Sequence, residues 1–177
     1  MIRTGLPLAL SLAAVLVAAP PGAAETAPCE TVGTSQNDRL IGTDQFDYIC
    51  GRRGADDIYG RGGDDGLFGD RGEDEIFGEA GADWLHGGRA RDEILGGSGK
   101  DELLGAGGWD YLAGGPGSDT MKGHGGKDCI YAVDGEGGDL LIGGAGEDYY
   151  QADPGDEVRS AEHESESCPL PPIPAHG

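Results

Sequence analysis

Glycine recurs at every ninth position from Gly33 to Gly123, through Gly42, Gly51, Gly60, Gly69, Gly78, Gly87, Gly96, Gly105 and Gly114, without a break. An aspartate follows each of these glycines by five residues: Asp38, Asp47, Asp56, Asp65, Asp74, Asp83, Asp92, Asp101, Asp110, Asp119 and Asp128. Two residues beyond each aspartate stands a large apolar side chain, namely Leu40, Ile49, Ile58, Leu67, Ile76, Leu85, Ile94, Leu103, Leu112, Met121 and Ile130. The period slips by two through Ala132 and Val133, resumes with Asp139 and Leu141, then with Gly143, Asp148 and Tyr150, and fades at Asp156 and Val158. Units this short and this regular cannot each enclose a core, so the sequence is restricted to folds that stack them.

The unit reads glycine, any, any, usually glycine, any, aspartate, any, large apolar, any. Gly96-Gly97-Ser98-Gly99-Lys100-Asp101-Glu102-Leu103-Leu104 and Gly114-Gly115-Pro116-Gly117-Ser118-Asp119-Thr120-Met121-Lys122 are complete copies. Glycine accepts positive φ without a Cβ penalty, so the first six residues predict a turn and the last three a short strand. Side chains alternate across a strand, which directs the apolar residue two after each aspartate inward. Two units then make one coil of a flattened parallel solenoid, with turns along two opposite edges stacked at about 4.8 Å. Stacked aspartates repel unless a cation lies between them. A hard cation such as Ca²⁺, with six to eight oxygen ligands and tolerant geometry, suits this setting better than Mg²⁺.

This pattern resembles the RTX family, the haemolysin-type calcium-binding nonapeptide repeats, over residues 33 to about 151. The resemblance implies an all-β fold, a right-handed parallel β-roll with Ca²⁺ ions between stacked turns. The implied metal ligands are Asp56, Asp65, Asp74, Asp83, Asp92, Asp101, Asp110, Asp119, Asp128, Asp139 and Asp148, with Asp38 and Asp47 as weaker candidates in the terminal coils. Carbonyls of Gly63, Gly72, Gly81, Gly99, Gly108, Gly117 and Gly126 are expected to add ligands. With so thin a core and so many acids, the expectation is a chain that folds when calcium binds.

The two edges are expected to differ. Arg53, Arg71 and Arg89 hold the third position of successive turns on one edge, a basic ladder expected mainly to neutralise Asp57, Asp70 and Glu73. Turns beginning at Gly60, Gly78, Gly96 and Gly114 keep the fourth-position glycine, so the tighter sites are expected on that other edge. The first two units carry Gln36 and Gln45 at that position, and the unit from Asp134 to Ile142 has lost its first glycine; these read as capping coils.

Composition narrows the functional classes. With 33 acidic against 12 basic residues the formal charge is -21, which disfavours nucleic acid and anionic membranes as electrostatic partners and favours cations. The 36 glycines show no three-residue period, so collagen is excluded. Arg3 followed by an apolar run from Leu6 to Ala19 reads as a secretory signal peptide ending near Ala24, with no other apolar run able to span a membrane. This departs from the type I export that the resemblance implies for many relatives. The mature chain is therefore expected outside the cell, where four cysteines allow three pairings; Cys29 with Cys50 and Cys129 with Cys168 is the arrangement expected to bracket the repeats. The expected organisation is a signal peptide over 1–24, a cap over 25–32, the roll over 33–151, and a C-terminal cap and Pro-rich tail over 152–177.

No catalytic signature is present. His86, His124, His163 and His176 form no HExxH, and no GxSxG elbow or phosphate loop occurs. The reading is a secreted calcium-binding protein that is not an enzyme. Outward strand positions hold Tyr59, Phe68, Phe77, Trp84, His86, Leu95, Leu104, Tyr111 and Tyr131, which predict an apolar strip on each face. That strip supplies the alternative reading: a calcium-dependent, adhesin-like or matrix scaffold with an extracellular protein or surface partner, or self-association. The tail Pro169-Leu170-Pro171-Pro172-Ile173-Pro174 reads as an extended segment tethered at Cys168.

Overall fold

The computed structural model describes residues 29–161 and 163–164. The expected signal peptide and the Pro-rich tail lie outside these residues. The described chain is a parallel β-solenoid of two facing sheets. The first has eight strands in the order β1 (Thr31–Val32), β3 (Tyr48–Arg53), β5 (Gly66–Arg71), β7 (Trp84–Arg89), β9 (Glu102–Gly108), β11 (Thr120–Gly126), β13 (Leu140–Gly146) and β15 (Glu157–Arg159). The second has eight in the order β2 (Arg39–Ile41), β4 (Asp57–Gly62), β6 (Glu75–Ala80), β8 (Glu93–Ser98), β10 (Tyr111–Ala113), β12 (Cys129–Ala132), β14 (Tyr149–Ala152) and β16 (His163–Glu164). Odd and even strands alternate between the sheets, so each coil contributes one strand to each.

Register follows the repeat. Ile49, Leu67, Leu85, Leu103, Met121, Leu141 and Val158 pair in one row of the first sheet. Leu40, Ile58, Ile76, Ile94, Leu112, Ile130 and Tyr150 form the matching row of the second. The partner lies eighteen residues on until Met121 meets Leu141 and Ile130 meets Tyr150, where the two-residue slip is absorbed without breaking either row. Side chains from Ile49 to Met121 in these rows are wholly buried. The core is therefore a double file of aliphatic side chains, one from each strand, with no second layer behind it.

The strands are longer than the three residues expected. Most interior strands run six or seven residues, because coil-to-coil pairing continues past the first glycine of the unit into the turn. Arg61 still pairs with Glu79, and His124 with Gly144. Identical turns stacked at the strand spacing can hydrogen-bond to one another as strands do, so the ladder bends round the corner.

At the N-terminal end Cys29 is bonded to Cys50, as expected from the sequence. Cys129 is also disulfide-bonded; the expected partner Cys168 lies outside the described residues. No helix among the described residues is long and apolar enough to cross a membrane.

A core with one side chain from each strand and no second layer leaves no neighbour able to collapse into a void. Leu103→Ala is expected to lower the unfolding free energy of the folded protein by about 2–5 kcal/mol, measured by urea denaturation. A loss below about 1 kcal/mol would contradict this account of the core.

Candidate metal centre

Every repeat aspartate from Asp47 to Asp148 is buried, and most are less than 3% exposed. Their carboxylates stack in two rows. One holds Asp47, Asp65, Asp83, Asp101, Asp119 and Asp139; the other holds Asp38, Asp56, Asp74, Asp92, Asp110, Asp128 and Asp148. Within a row, the backbone N–H of each aspartate donates to Oδ1 of the aspartate in the next coil, as from Asp65 to Asp83 at 2.8 Å, Asp83 to Asp101 at 2.9 Å and Asp101 to Asp119 at 2.8 Å. The second row repeats this, from Asp92 to Asp110 at 2.9 Å and Asp110 to Asp128 at 3.0 Å. One oxygen of each carboxylate thus ties two coils together.

The other oxygen faces the turn of its own unit. It presses on the first glycine, where an added Cβ would overlap Oδ2, as at Gly78 with Asp83 and at Gly60 with Asp65. None of the unbroken series from Gly33 to Gly123 has positive φ. The first glycine is therefore required for space rather than for backbone freedom, a role the sequence reading did not assign. Left-handed backbone falls instead at the second and fourth positions, and the second is often not glycine: Arg52 (φ 80°), Asp70 (φ 72°) and His124 (φ 73°) adopt it.

Oδ2 of Asp65, Asp83, Asp92, Asp101, Asp110, Asp119, Asp128 and Asp139 is buried and accepts no hydrogen bond. An ionised oxygen in that position carries a large desolvation cost. Burial pushes the carboxyls up: Asp92 to about 9, Asp101 and Asp110 to about 7, and Asp65, Asp119 and Asp128 to about 6. Burial likewise raises Asp83 and Asp139. The stacked N–H donors oppose this shift, and neighbouring aspartates in the row add to it.

Carbonyls converge on the same turns. Those of Gly63, Gly81, Gly99, Gly108 and Gly126 point at the fourth-position glycine of the next coil so closely that a Cβ there would collide with them. Gly72 and Gly117, also expected to offer carbonyls, are placed as the receiving glycines for Gly54 and Gly99. Among the described residues no three His, Cys, Asp or Glu side chains converge. A cation between coils would therefore draw on the stacked carboxylates and on main-chain carbonyls together.

The ends differ from the interior. Oδ2 of Asp38 accepts from the Thr34 N–H at 2.6 Å and hydroxyl at 2.8 Å, and Oδ2 of Asp47 accepts from the Thr43 N–H at 2.6 Å and hydroxyl at 2.9 Å. At the other end Asp156 accepts from the Gly138 and Asp139 N–H groups. The terminal coils satisfy their acids internally. Threonine at the second position of the first two units was the sequence signal for this.

These features together decide the family. Residues 32–67, 68–103, 104–136 and 131–156 match the RTX calcium-binding nonapeptide repeat in four copies. The chain belongs to the RTX calcium-binding family. No curated protein matches it. The donor set of this RTX β-roll fits the ion the family binds: buried oxygen atoms without partners, no thiolate or imidazole among them, and carbonyls alongside. Calcium would supply the positive charge that the buried carboxylates lack.

The basic ladder forms as expected, with Arg53, Arg71 and Arg89 in register. All three arginines are exposed at this edge.

A carboxyl whose pKa is higher folded than unfolded favours folding fully below its unfolded value near 4, and that contribution is lost as pH rises through the folded value. Here the loss spans about pH 4 to about pH 9. The metal-free chain is expected to gain strand signal on acidification from pH 8 to pH 5 in chelator, read by far-UV circular dichroism. A metal-free chain better folded at pH 8 than at pH 5 would contradict the assignment. Gly78→Ala, whose Cβ meets Asp83 Oδ2 and the Gly96 carbonyl, should destabilise the fold by about 1–3 kcal/mol. Gly62→Ala, whose Cβ would have its nearest neighbour at 3.7 Å, should leave it unchanged by the same urea assay.

Proposed function

We propose that this is a secreted calcium-binding protein, without catalytic activity, whose repeats fold on binding several Ca²⁺ ions. The supporting observation is the row of buried carboxylate oxygens with no hydrogen-bond partner, beside inward-turned glycine carbonyls. Interior ligands are Asp65, Asp83, Asp101 and Asp119 on one edge, with Asp139 at its end, and Asp56, Asp74, Asp92, Asp110, Asp128 and Asp148 on the other. Asp38 and Asp47 cap the stack and contribute little. Calcium uptake then couples to folding, as in other small domains held by metal. The Cys29–Cys50 disulfide supports an oxidising compartment, consistent with export through the N-terminal segment.

The edge carrying Asp65 to Asp119 binds more tightly, since it lacks the arginine ladder and keeps the fourth-position glycine in each of these turns, whereas the other edge has Ala90 at that position. Asp101→Ala is expected to raise the calcium midpoint of folding severalfold and lower stoichiometry in equilibrium dialysis, with Asp38→Ala near wild type. Equal effects of the two substitutions would refute the ranking of interior over terminal coils.

A second reading is favoured by one cluster on the outer face of the first sheet. Phe46, Tyr48, Phe68 and Trp84 form a continuous run of ring contacts, with centroid separations of 6.5, 5.0 and 5.1 Å. Phe46 is 61% and Trp84 42% exposed. Rings so exposed suit a scaffold that meets a protein, a surface or a second copy once the roll is loaded. Sedimentation of wild type and the double variant Phe46→Ser/Trp84→Ser, with and without calcium, separates the readings. A calcium-dependent rise in mass lost in the variant supports the scaffold, and a monomer throughout removes self-association.

A further inference from the structure

One edge of the roll carries positive charge that takes no part in holding a cation. On three successive turns of it, 51–56, 69–74 and 87–92, stand Arg52, Arg53, Arg71, Arg89 and Arg91, five of the twelve Lys and Arg residues in the chain. Apart from the buried Asp56, Asp74 and Asp92, those turns hold two acids, Asp70 and Glu73. Arg53, Arg71 and Arg89 lie in register on β3, β5 and β7, with neighbours one strand spacing of about 4.8 Å apart. An open depression of about 480 Å³ at this place is lined by Asp70, Arg71, His86, Gly88 and Arg89.

We propose that this depression is a binding site for a tetrahedral oxyanion, a sulfate or phosphate group, held between Arg71 and Arg89 with His86 beside it. Like charges directly opposite on neighbouring strands weaken a sheet, and the arginine row sets them so over three strands. An anion between the rungs relieves that repulsion, as a cation relieves the aspartate rows. Guanidinium groups suit such a ligand, because their planar forks make paired, charge-assisted hydrogen bonds to its oxygens. Arg53 extends the row by one rung, which gives a ligand with a second anionic group a place for it.

His86 and Asp70 tune the site in opposite directions. Nδ1 of His86 is buried and has no hydrogen-bond partner, so the ring has a polar group to spare for an incoming oxygen. Burial holds the imidazole below its usual range, against the pull of Asp70, and at neutral pH it therefore brings an N–H without a charge. Asp70 disfavours an anion, but Arg52 stands in register with it on the adjacent strand and offsets its charge. The acidic row of Asp57, Glu75 and Glu93 begins beyond the corner, on the second sheet. The inference rests on the proposed function for the fold alone: the rungs are eighteen residues apart in sequence and meet only where coils have stacked.

The test titrates the calcium-loaded full chain with sodium sulfate, following the arginine Nε–H resonances by NMR and strand signal by circular dichroism on the same samples. The Arg71 and Arg89 resonances are expected to move along a saturating curve, and sodium chloride at equal ionic strength to move them little. Arg71→Gln and Arg89→Gln should each weaken sulfate by about tenfold or more with strand signal kept. Arg159→Gln, at the far end of the roll, should leave the affinity unchanged, and Asp70→Asn should raise it. A sulfated polysaccharide as second probe separates the sources: saturation by the free ion assigns a small anion, and saturation by the polymer alone assigns a sulfate carried on a chain. Strand signal that persists in chelator, with sulfate still saturating, would overturn the calcium reading and leave this site standing. Chloride and sulfate acting alike, a response that saturates with neither probe, or unchanged affinity in both arginine variants would each overturn the proposal.

Discussion

The structure depends on burying a negative charge in every nine residues. Each repeat aspartate gives one oxygen to a main-chain N–H in the neighbouring coil and leaves the other in a space closed by glycine. That arrangement ties coils together, but the bonds it forms do not neutralise the charge. Stacking at the strand spacing places like charges one above another, so the geometry that closes the solenoid also creates its strongest repulsion. A divalent cation with oxygen ligands resolves both difficulties together, and a proton resolves them partly. Under the proposed function, folding, calcium and pH are linked through the same carboxylates.

The rest of the architecture follows from this linkage. The aliphatic double file from Ile49 to Leu141 gives each coil only two wholly buried side chains, which fixes register but leaves little stability to spare against the charge. Caps at both ends relieve the acids that have no further coil to bind. Thr34 and Thr43 do this at the start, and Asp153 and Asp156 engage the last irregular turn. The disulfide at Cys29 and Cys50 holds the outermost strand against its neighbour.

Much of this was legible from spacing alone. The nine-residue phase identified the inward residues, the aspartate rows, the two-sheet coil and the slip near Ala132, because each depends only on which residues recur in step. Features that depend on atomic contact were not legible. The glycines of each turn were read together as sources of positive φ, whereas the first of each unit makes room for Asp Oδ2; the pattern of glycine is the same under either cause. Positive φ at the second position was not foreseen, because that position takes residues as different as Arg52, Asp70 and His124 and so shows no constant residue type. The strands ran longer than the unit implied, because stacked turns pair as strands do. The arginine ladder was correctly aligned, because its register depends only on the repeat phase.

The measurement that tests the central claim most directly is a calcium titration of the protein at neutral pH by far-UV circular dichroism, with magnesium as the control. The account predicts little strand signal in excess chelator, a steep cooperative gain with calcium, and no comparable gain with magnesium. Full strand signal in chelator at neutral pH would contradict it, showing that the roll holds its buried carboxylates without a cation.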